Sequence, residues 1–448
     1  MDLARRNVLV IGLGRSGVAA ARLCLDKGAR VTATDAAARE RLSKEALALE
    51  AAGATLAPGG HPASIFDGID LVVISPGVPS FPALEAFEKA GGEVIGELEL
   101  AARFFAGTPI ALIGGTNGKS TTTALVHAML EAAGKKAFIG GNFGTPLAEV
   151  VGQNFDVIVL EISSFQAERV PTLHARVHVL LNITDDHLDR YPSFEAYANA
   201  KGNPFVNMGP DDVAVIASGD KLLRRQAERG DAKIVTFSGR SADVYGDIEG
   251  GAIVDNTRGA RYPLSILRIK GAHNIANACA SIAAASALGA TEDGIRAALA
   301  SFEGLGHRNV LVGEIDGVRY YDDSKGTNVG ASVAALRGLA EDKAVLIAGG
   351  KDKLGAYEPL VDALRDKGRA LVLIGEAADR IEAAAKGLLP IARASSMVEA
   401  VHIARRFAQP GDAVLLSPAC ASLDMFRDYK DRGDQFARAV QAMMEVGA

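Results

Sequence analysis

The stretch that decides the fold reads Pro109-Ile-Ala-Leu-Ile-Gly-Gly-Thr-Asn-Gly-Lys-Ser-Thr-Thr-Thr123. Its apolar first half predicts a buried strand, and the glycine-rich turn that follows leads into a segment with helical spacing. Backbone N–H groups at such a turn point towards the start of the helix, where phosphate oxygens bind well. The turn therefore predicts a phosphate-binding loop, although Ile113 stands where the strict G-x-x-x-x-G-K-[ST] pattern has its first glycine.

Two side chains directly after the turn fit the same interpretation. Lys119 would place a positive charge on the outer phosphates of a nucleotide, and Ser120 would offer its hydroxyl to a bound Mg²⁺. The alternative is an ordinary glycine-rich turn between a strand and a helix, which does not need lysine and serine at these positions. The motif by itself indicates only that the chain uses a nucleoside triphosphate.

The composition narrows the class of protein. A chain of 448 residues predicts about three domains, and 48% hydrophobic residues supply enough core without a disulfide or a metal. The net charge of −6 argues against nucleic acid or a membrane surface as a partner. Cys24, Cys279 and Cys420 are far apart, which predicts buried free thiols in a reducing compartment. Because no apolar run is long enough to cross a membrane, we expect a cytoplasmic protein without membrane insertion.

The N-terminal segment carries a second glycine turn. The strand-like run Asn7–Ile11 leads directly into Gly12-Leu-Gly-Arg-Ser-Gly17, then into a helix and a second strand that ends in Asp35. This order is typical of a dinucleotide-binding fold, in which a diphosphate lies at the helix N-terminus. An NAD site with Asp35 on a ribose hydroxyl is one interpretation, and a UDP-sugar fits the motif equally well.

Buried strands further along the chain end in polar residues suited to ligand binding. The strand before Ser75 is followed by a stiff Ser-Pro-Gly loop, and such loops at the carboxyl edge of a parallel sheet hold ligands. The strand Asp156–Leu160 ends in Glu161, which is a candidate Mg²⁺ ligand or, alternatively, a helix-capping acid. The next strand leads into Thr184–Arg190, where His187 lies among carboxylates as a ligand or in a solvated turn.

The segment that follows predicts a small sheet edge, a helix with two polar residues on one face, and a hinge. Short strand-like runs separated by turns between Asp211 and Ile269 predict a small antiparallel edge. Asn274 and Asn277 share one face of the next helix, either as ligands or as capping groups. The glycines and polar residues of Phe302–Asn309 predict a hinge.

The C-terminal third predicts a second α/β unit. Val310–Tyr321 reads as a hairpin with a type I′ turn at Asp316-Gly317. The polar run Asp322–Asn328 follows a strand end, which favours a ligand loop over a solvated one. Later strands alternate with helices, and one of them leads into Ser417–Ser422, so a doubly wound sheet is expected.

Five stretches occur in order along the chain: Gly115–Ser120, Glu161–Gln166, Leu181–Arg190, Asp322–Asn328 and Leu415–Phe426. Together they resemble the Mur ligase family of peptidoglycan synthesis. The resemblance implies an α/β fold with three domains: an N-terminal Rossmann-like UDP-binding domain, a central P-loop ATPase-type parallel sheet and a C-terminal Rossmann-like amino-acid-binding domain. We place these domains at residues 1–96, 97–304 and 305–448.

The resemblance also implies an activity. The last two stretches imply an ATP-dependent ligase that joins D-glutamate to UDP-N-acetylmuramoyl-L-alanine through an acyl phosphate, with ATP and two Mg²⁺ ions as cofactors. Because the carboxylate, the triphosphate and the amino acid are all anionic, cationic groups must gather them. Neither nucleic acid nor membrane is implied as a partner, and we expect a monomer.

Particular residues match the motifs of the family. The resemblance implies ATP binding by Gly115, Thr116, Asn117, Gly118, Lys119, Ser120, Thr121, Asn274, His307, Arg308 and Asp323. It implies binding of the UDP substrate by Gly14, Arg15, Ser16, Asp35, Ser75, Gly77 and Asn142. It implies D-glutamate binding by Lys325, Thr327, Lys353, Ser422, Leu423 and Tyr429.

The metal and catalytic residues are implied in the same way. The metal ligands would be Ser120, Glu161, His187 and, once carbamylated, Lys201. Carbamylation would turn an ammonium, which repels a metal ion, into an anion that can bind one. Without the resemblance Lys201 reads as an ordinary exposed helix lysine. The catalytic set implied by the resemblance is Lys119, Glu161, His187, Lys201, Lys325 and Lys353.

Three other functions remain to be compared with this one. Another ligase of the same fold, adding L-alanine or extending folate with glutamate, is disfavoured by the stretch Ser417–Phe426. An NAD-dependent oxidoreductase built on Gly12–Gly17 leaves Lys119 and Ser120 unexplained. A nucleotide-gated binding protein without turnover would not need the complete set of candidate ligands.

Overall fold

The computed structural model describes residues 1–187, 190–269, 271–354 and 356–446. Leu188 and Asp189, which belong to the stretch Leu181–Arg190, lie outside the described residues. The chain divides into two compact units. The first unit comprises Met1–Asn182, Glu195–Leu267 and Ala276–Phe302, and the second comprises Ile183–Phe194, Arg268–Ile275 and the chain from Glu303 onwards.

The first sheet belongs to the first unit and is parallel throughout. Its strands are β1 (Asn7–Ile11), β2 (Arg30–Asp35), β3 (Thr55–Pro58), β4 (Leu71–Ile74) and β5 (Val94–Gly96), in the order β3-β2-β1-β4-β5. The helices are α1 (Arg15–Asp26), α2 (Lys44–Ala51), α3 (Pro82–Lys89) and α4 (Glu97–Ala102). The strand–turn–helix–strand order predicted from Asn7 to Asp35 is confirmed.

The second sheet, also in the first unit, is built around the opening stretch. Its strands are β6 (Ile110–Gly114), β7 (Ala137–Gly141), β8 (Val157–Glu161), β9 (Val177–Leu180), β10 (Val213–Ala217), β11 (Lys233–Phe237), β12 (Val244–Asp247), β13 (Ala252–Asp255) and β14 (Ala260–Pro263). The order is β14-β13-β12-β11-β10-β9-β6-β8-β7. The accompanying helices are α5 (Lys119–Ala132), α6 (Ser164–Ala167), α7 (Phe194–Gly202), α8 (Lys221–Ala227), α9 (Ala272–Ala287) and α10 (Glu292–Ser301).

The antiparallel edge expected between Asp211 and Ile269 is only partly present. Strands β10 and β11 are parallel to β9 and extend the main sheet, because α8 carries the chain back to the same end. Antiparallel pairing is confined to β12, β13 and β14. The expectation was wrong for β10 and β11, since the short helix between them was not recognised as a crossover.

The third sheet belongs to the second unit. Its strands are β15 (Val310–Ile315), β16 (Val318–Asp322), β17 (Ala344–Gly349), β18 (Gly368–Ile374), β19 (Ile391–Arg393) and β20 (Ala413–Leu416), in the order β15-β16-β20-β17-β18-β19. The helices are α11 (Val329–Gly338), α12 (Glu358–Lys367), α13 (Ala378–Ala384), α14 (Met397–Phe407) and α15 (Tyr429–Val446). The hairpin β15–β16 has positive φ at both Asp316 and Gly317, which confirms the predicted type I′ turn.

Helices cover both faces of the third sheet. Along β17, Leu346 packs in the cluster formed with α11, α12 and α13, whereas its neighbour Ile347 packs in the cluster formed with α14 and α15. Successive strand residues therefore enter opposite cores, which is why the strand sequence is apolar without alternation. This arrangement confirms the predicted α/β fold class.

The register of the second sheet places the candidate residues at one edge. Ile113 pairs with both Glu161 and Val179, so β6, β8 and β9 end at the same level. The polar segments that follow these strands leave the sheet at its carboxyl edge, as parallel α/β sheets do at ligand sites. The predicted domain boundaries 1–96, 97–304 and 305–448 stay predictions.

Two smaller expectations concern thiols and membranes. The three cysteines are buried and form no disulfide, as predicted. Among the described residues, no helix is both long enough and apolar enough to span a bilayer.

Glu97 is a buried acid that links the two sheets of the first unit. It begins α4, directly after β5, and its Oε1 accepts the backbone N–H of Ala148 at 2.7 Å. Its Oε2 is buried and accepts no hydrogen bond from the described residues. Burial raises the pKa of Glu97 to about 7.

The raised pKa predicts how stability depends on pH. The folded chain keeps the Glu97 proton up to about pH 7, whereas a solvated glutamate with a pKa of 4.5 releases it earlier. Unfolding therefore releases a proton between these values, and the free energy of unfolding falls as the pH rises through them. Glu97→Gln stays neutral at every pH. The variant should therefore lose a pH-dependent change in the free energy of unfolding on the order of 3 kcal/mol.

Urea unfolding of both proteins across this pH range measures the difference. Glu228→Gln is the matched control, because Glu228 lies exposed beside Arg224 on the end of α8. An unchanged pH dependence in Glu97→Gln would contradict the assignment.

Candidate functional site

The turn between β6 and α5 has the geometry of a phosphate-binding loop. Gly115 and Gly118 have φ of 137° and 86°, a region that side chains other than glycine rarely adopt. A Cβ at Gly118 would also lie 2.5 Å from Oδ1 of Asn277. Ile113, at the position of the missing first glycine, is a fully buried residue of β6, so the strand continues through that position.

Asn182, which follows β9, holds this loop from behind. Its side-chain Oδ1 accepts the backbone N–H of Thr116 at 3.1 Å and that of Asn117 at 2.8 Å. Its Nδ2 donates to the carbonyl of Asn117 at 3.0 Å, and its own carbonyl accepts the Thr116 N–H at 2.9 Å. One side chain thus fixes the conformation of two consecutive loop residues.

Helix α7 supplies two further contacts to the loop. The hydroxyls of Thr116 and Tyr197 are 3.0 Å apart and both are buried. Nζ of Lys201 donates to the carbonyl of Gly115 at 2.8 Å and lies 4.8 Å from the centre of the Tyr197 ring. Lys201 is 5% exposed, so the alternative of an ordinary exposed helix lysine was wrong.

The predicted phosphate ligands lie at the start of α5. Nζ of Lys119 donates to the carbonyl of Thr116 at 2.9 Å, which places its charge over the loop. Ser120 and Thr121 are buried in the first turn of the helix. The helix dipole and the lysine together favour an anion at this position.

Glu161 ends β8 with an oxygen suited to a cation. Its Oε1 accepts Nδ2 of Asn142 at 2.6 Å, whereas its buried Oε2 has no hydrogen-bond partner among the described residues. A buried carboxylate oxygen without a donor is costly unless a cation or a ligand satisfies it. The helix-capping alternative is not supported, because Ser163 caps the following helix α6.

The first glycine turn is held by residues predicted for the UDP substrate. Asp35 accepts the backbone N–H of Leu13 at 2.6 Å and that of Ala37 at 2.8 Å. Ser75 donates its hydroxyl to the carbonyl of Gly12 at 2.7 Å. The carboxylate and the hydroxyl therefore shape the turn itself, whatever else they bind.

The remaining residues predicted for this substrate lie around that turn. Gly14 precedes the first residue of α1 without a side-chain cap, so the helix N-terminus is open to an anion. Arg15 is exposed and donates to the carbonyl of Gly144 at 2.7 Å, close to Asn142 in the chain. Ser16 lies in the first turn of α1, and Gly77 lies in the loop after β4.

In the second unit, His307 and Asp322 form a close pair. Nδ1 of His307 lies 2.6 Å from Oδ2 of Asp322, and Nε2 lies 3.7 Å from Oδ1 of Asp434. His307 has a φ of 60°, and its carbonyl accepts the backbone N–H of Lys325 at 3.0 Å. The hinge residue and the ligand loop predicted from the sequence are therefore directly connected.

Asp323 is buried beside this pair. Its Oδ2 accepts the hydroxyl of Ser417 at 2.6 Å. Burial raises the pKa of Asp323 to about 7, although Ser417 and the charge of Arg308 oppose the rise. The charge of Arg308 thus acts on Asp323, the other predicted nucleotide residue of this group.

The residues predicted for D-glutamate lie on neighbouring loops of the second unit. Nζ of Lys325 lies 3.9 Å from the centre of the Tyr429 ring, a cation–π distance. Thr327 donates its N–H to the carbonyl of Lys325 at 2.8 Å. Ser422 is buried, whereas the next residue, Leu423, is 66% exposed.

Lys353 and His187 are linked through Asp186, all in the second unit. Nζ of Lys353 lies 3.0 Å from Oδ1 of Asp186, and Nδ2 of Asn328 lies 3.3 Å from its Oδ2. His187, with a φ of 56°, donates its backbone N–H to the same carboxylate at 3.0 Å. The carboxylate therefore sets the position of two residues predicted to be catalytic.

The two units divide the predicted catalytic residues between them. Lys119, Glu161 and Lys201 belong to the first unit, and His187, Lys325 and Lys353 belong to the second. Asn274 belongs to the second unit, where its N–H donates to the carbonyl of Gly271, whereas Asn277 lies against the phosphate loop.

Sequence reasoning missed several residues that contact the predicted ones. Asn182 and Asp186 lie within the quoted stretch Leu181–Arg190 but received no role. For Asn277 the choice between a ligand and a capping group was left open. The available signals were the position of Asn182 and Asp186 in the polar segment after β9, and the position of Asn277 on the same helix face as Asn274. Tyr197 was missed altogether, because a helical tyrosine carries no motif.

Comparisons with known proteins agree with these features. Three family models match the chain: a Mur ligase MurD-like N-terminal domain at residues 6–96, a Mur ligase middle domain at 113–285 and a Mur ligase glutamate ligase domain at 307–420. The matches cover all three sheets.

Individual relatives match over the full length. A UDP-N-acetylmuramoylalanine--D-glutamate ligase from Syntrophotalea carbinolica is 45% identical, with 100% of each chain covered. The enzyme of the same name from Desulfosudis oleivorans is 43% identical, with 99% of this chain and 98% of that protein covered. Among solved structures, a MurF ligase from Thermotoga maritima in complex with ADP has a TM-score of 0.63 at 17% identity, covering 100% of this chain and 99% of that chain.

The contacts of Asn182 predict the effect of removing its side chain. Asn182→Ala removes the three hydrogen bonds that the side chain makes with Thr116 and Asn117, each worth about 1 kcal/mol. We expect the dissociation constant for ADP, measured by titration calorimetry, to rise about tenfold or more.

Asn207→Ala provides the matched control. Asn207 also bonds two backbone carbonyls of the first unit, those of Val170 and Leu173, which do not belong to the loop. An unchanged ADP affinity in folded Asn182→Ala, or equal losses in both variants, would refute the role of Asn182 in the loop.

Proposed function

The chain belongs to the Mur ligase family, and from this premise we propose that it joins D-glutamate to UDP-N-acetylmuramoyl-L-alanine at the expense of ATP. The observation that carries the proposal is full-length similarity, at 41–45% identity, to relatives named for this reaction. ATP as a substrate fits the cytoplasmic location expected from the sequence. We expect the enzyme to act as a monomer.

The reaction has two chemical steps. The alanyl carboxylate attacks the γ-phosphorus of ATP, which forms an acyl phosphate and releases ADP. The amine of D-glutamate then attacks the acyl carbon, and the tetrahedral intermediate releases inorganic phosphate and the amide, while the amine gives up its proton. Both steps bring anions together, so positioned cations and N–H donors lower their barriers.

The first unit has the groups needed to hold the phosphates. The loop N–H groups, the N-terminus of α5 and Lys119 together offer positive charge to the β- and γ-phosphates. Asn182 and Tyr197 hold the loop so that these donors need no rearrangement when the nucleotide binds. We assign the UDP diphosphate to the open N-terminus of α1 at Gly14, with Arg15 beside it.

Mg²⁺ would be held by Ser120, Glu161, His187 and carbamylated Lys201. The buried Oε2 of Glu161, which lacks a hydrogen-bond donor among the described residues, fits a cation. Few protein ligands are needed, because Mg²⁺ in such sites takes further oxygens from phosphates and water. When bound, the metal would neutralise phosphate charge during transfer.

The second unit would bind the nucleoside and the amino acid. Asn274, His307 and Asp323 are assigned to adenine and ribose, and Arg308 is assigned to the γ-phosphate. Lys325 and Lys353 would pair with the carboxylates of D-glutamate, next to Thr327, Ser422, Leu423 and Tyr429. The contact between Lys325 and the Tyr429 ring supports this grouping.

The proposal predicts which compounds are needed for turnover. ADP release should require both UDP-N-acetylmuramoyl-L-alanine and D-glutamate, because phosphate transfer needs the carboxylate and completion needs the amine. A coupled ADP assay with each substrate omitted in turn measures this requirement. Lys119→Ala, which removes the positive charge offered to the phosphates, should lower kcat at least about a hundredfold.

Two results would reject the proposal. Turnover with L-alanine or L-glutamate in place of D-glutamate would assign the chain to another branch of the family. ADP release that is independent of any amino acid would favour a nucleotide-gated protein.

Lys201 provides a separate test of carbamylation. Its amine would add CO₂ and lose a proton, which gives an anion in a buried place where a bare ammonium would repel Mg²⁺. Lys201→Ala should therefore lose activity that acetate or formate partly restores, since a small carboxylate can replace the carbamate.

The control for rescue is Lys119→Ala, which lacks a cation instead of an anion. Rescue should be absent there, and both variants are assayed over the same range of acetate. Failure of acetate and formate to restore folded Lys201→Ala would argue against carbamylation.

A further inference from the structure

Arg432, near the start of α15, is the largest fully buried side chain of the described protein. It lies three residues after Tyr429, in the first turn of the helix, and has no exposed surface. No sequence motif marks this residue. A buried guanidinium is expensive, so its surroundings indicate what it does.

Among the described residues, every hydrogen bond of the Arg432 guanidinium goes to one of two loops. Its Nε and Nη2 donate to Ser324, to the side-chain hydroxyl at 3.0 Å and to the carbonyl at 2.8 Å. Its Nη1 donates to the carbonyls of Cys420 and Ala421 at 3.2 and 3.3 Å. Ser324 directly precedes Lys325, and Ala421 directly precedes Ser422, both of which are assigned to D-glutamate.

A third loop meets the same guanidinium. Lys351, two residues before Lys353, exchanges backbone hydrogen bonds of 2.9 and 3.1 Å with Ala421. A Cβ at Gly350 would lie 3.2 Å from Nη1 of Arg432. The guanidinium therefore lies where the loops that carry Lys325, Lys353 and Ser422 come together.

Among the described residues, no carboxylate forms a direct ion pair with Arg432. All four acceptors of its guanidinium are neutral oxygens, and the acids that oppose the effect of burial, Asp424 first and then Asp322 and Asp323, act without a hydrogen bond to it. Burial lowers its pKa to about 10, so the side chain stays charged at neutral pH. An apolar side chain could hold the loops in place, but it would supply no positive charge to an anionic ligand.

We propose that Arg432 is a positioning residue for D-glutamate: it fixes the backbones on both sides of the amino-acid site and adds positive charge behind them. This inference rests on the proposed function, because it concerns the substrate assigned to Lys325 and Ser422. It assigns Arg432 no contact with the reacting atoms.

Steady-state kinetics of Arg432→Met test the proposal. Methionine fills much of the same volume without the charge or the four hydrogen bonds. The KM for D-glutamate should rise about tenfold or more, while kcat at saturating D-glutamate and the KM for ATP change by less than about threefold. Arg432→Lys keeps the charge without the planar fork of donors. Its KM for D-glutamate should lie between those of Arg432→Met and the unaltered protein.

A control variant separates this role from general stability. Arg369→Met breaks a two-bond ion pair with Asp412 in the same unit, away from the ligand loops, and should leave every KM unchanged.

Amide hydrogen exchange gives a second readout that does not need turnover. Arg432→Met should speed exchange at residues 324–327 and 420–422 and leave the phosphate loop unchanged. Absence of D-glutamate-dependent turnover in the unaltered protein would reject the proposed function, whereas the exchange comparison would still test the loop contacts.

Three outcomes would overturn the proposal. They are an unchanged KM for D-glutamate in Arg432→Met, an equal rise in all KM values, and unchanged exchange in both loops. If Arg432→Met does not fold, Arg432→Lys decides, and an unchanged KM for D-glutamate in that variant overturns the proposal as well.

Discussion

A loop that offers its backbone N–H groups to phosphate must be held by contacts from outside itself. The loop after β6 has left-handed glycines at both ends and so has little preference of its own. The carboxamide of Asn182 bonds two consecutive residues of the loop. Tyr197 bonds the Thr116 hydroxyl, and Lys201 bonds the Gly115 carbonyl. These contacts come from the end of β9 and from α7, so the loop depends on the whole carboxyl edge of the second sheet.

Two charged side chains, Glu161 and Arg432, are buried. Glu161 has an oxygen without a donor among the described residues, and Arg432 bonds only neutral oxygens. Neither arrangement stabilises the fold by itself, because desolvating a charge costs more than such contacts return. Both become reasonable beside ligands of opposite charge, a metal ion for the acid and a dicarboxylate for the guanidinium. Binding of such ligands would offset part of the free energy that burying these charges costs.

Much of the fold could be predicted because apolar runs and glycine turns are local signals. The strand ends at Gly114, Glu161 and Asp322 were located to within one residue for this reason. The direction of β10 and β11 could not be read, since the crossover helix between them is only seven residues long. Glu97, Asn182 and Arg432 escaped prediction because their partners are distant in sequence, up to 108 residues away for Arg432. A residue whose role depends on such partners leaves no pattern in its own neighbourhood.

The central claim is that the phosphate loop serves to activate a carboxylate. Heavy-oxygen labelling of the alanyl carboxylate tests it most directly. If the carboxylate attacks ATP, one labelled oxygen must stay on the phosphorus when the amide forms. We expect mass spectrometry of the released inorganic phosphate to find one label per phosphate. Unlabelled phosphate accompanied by labelled water would contradict it.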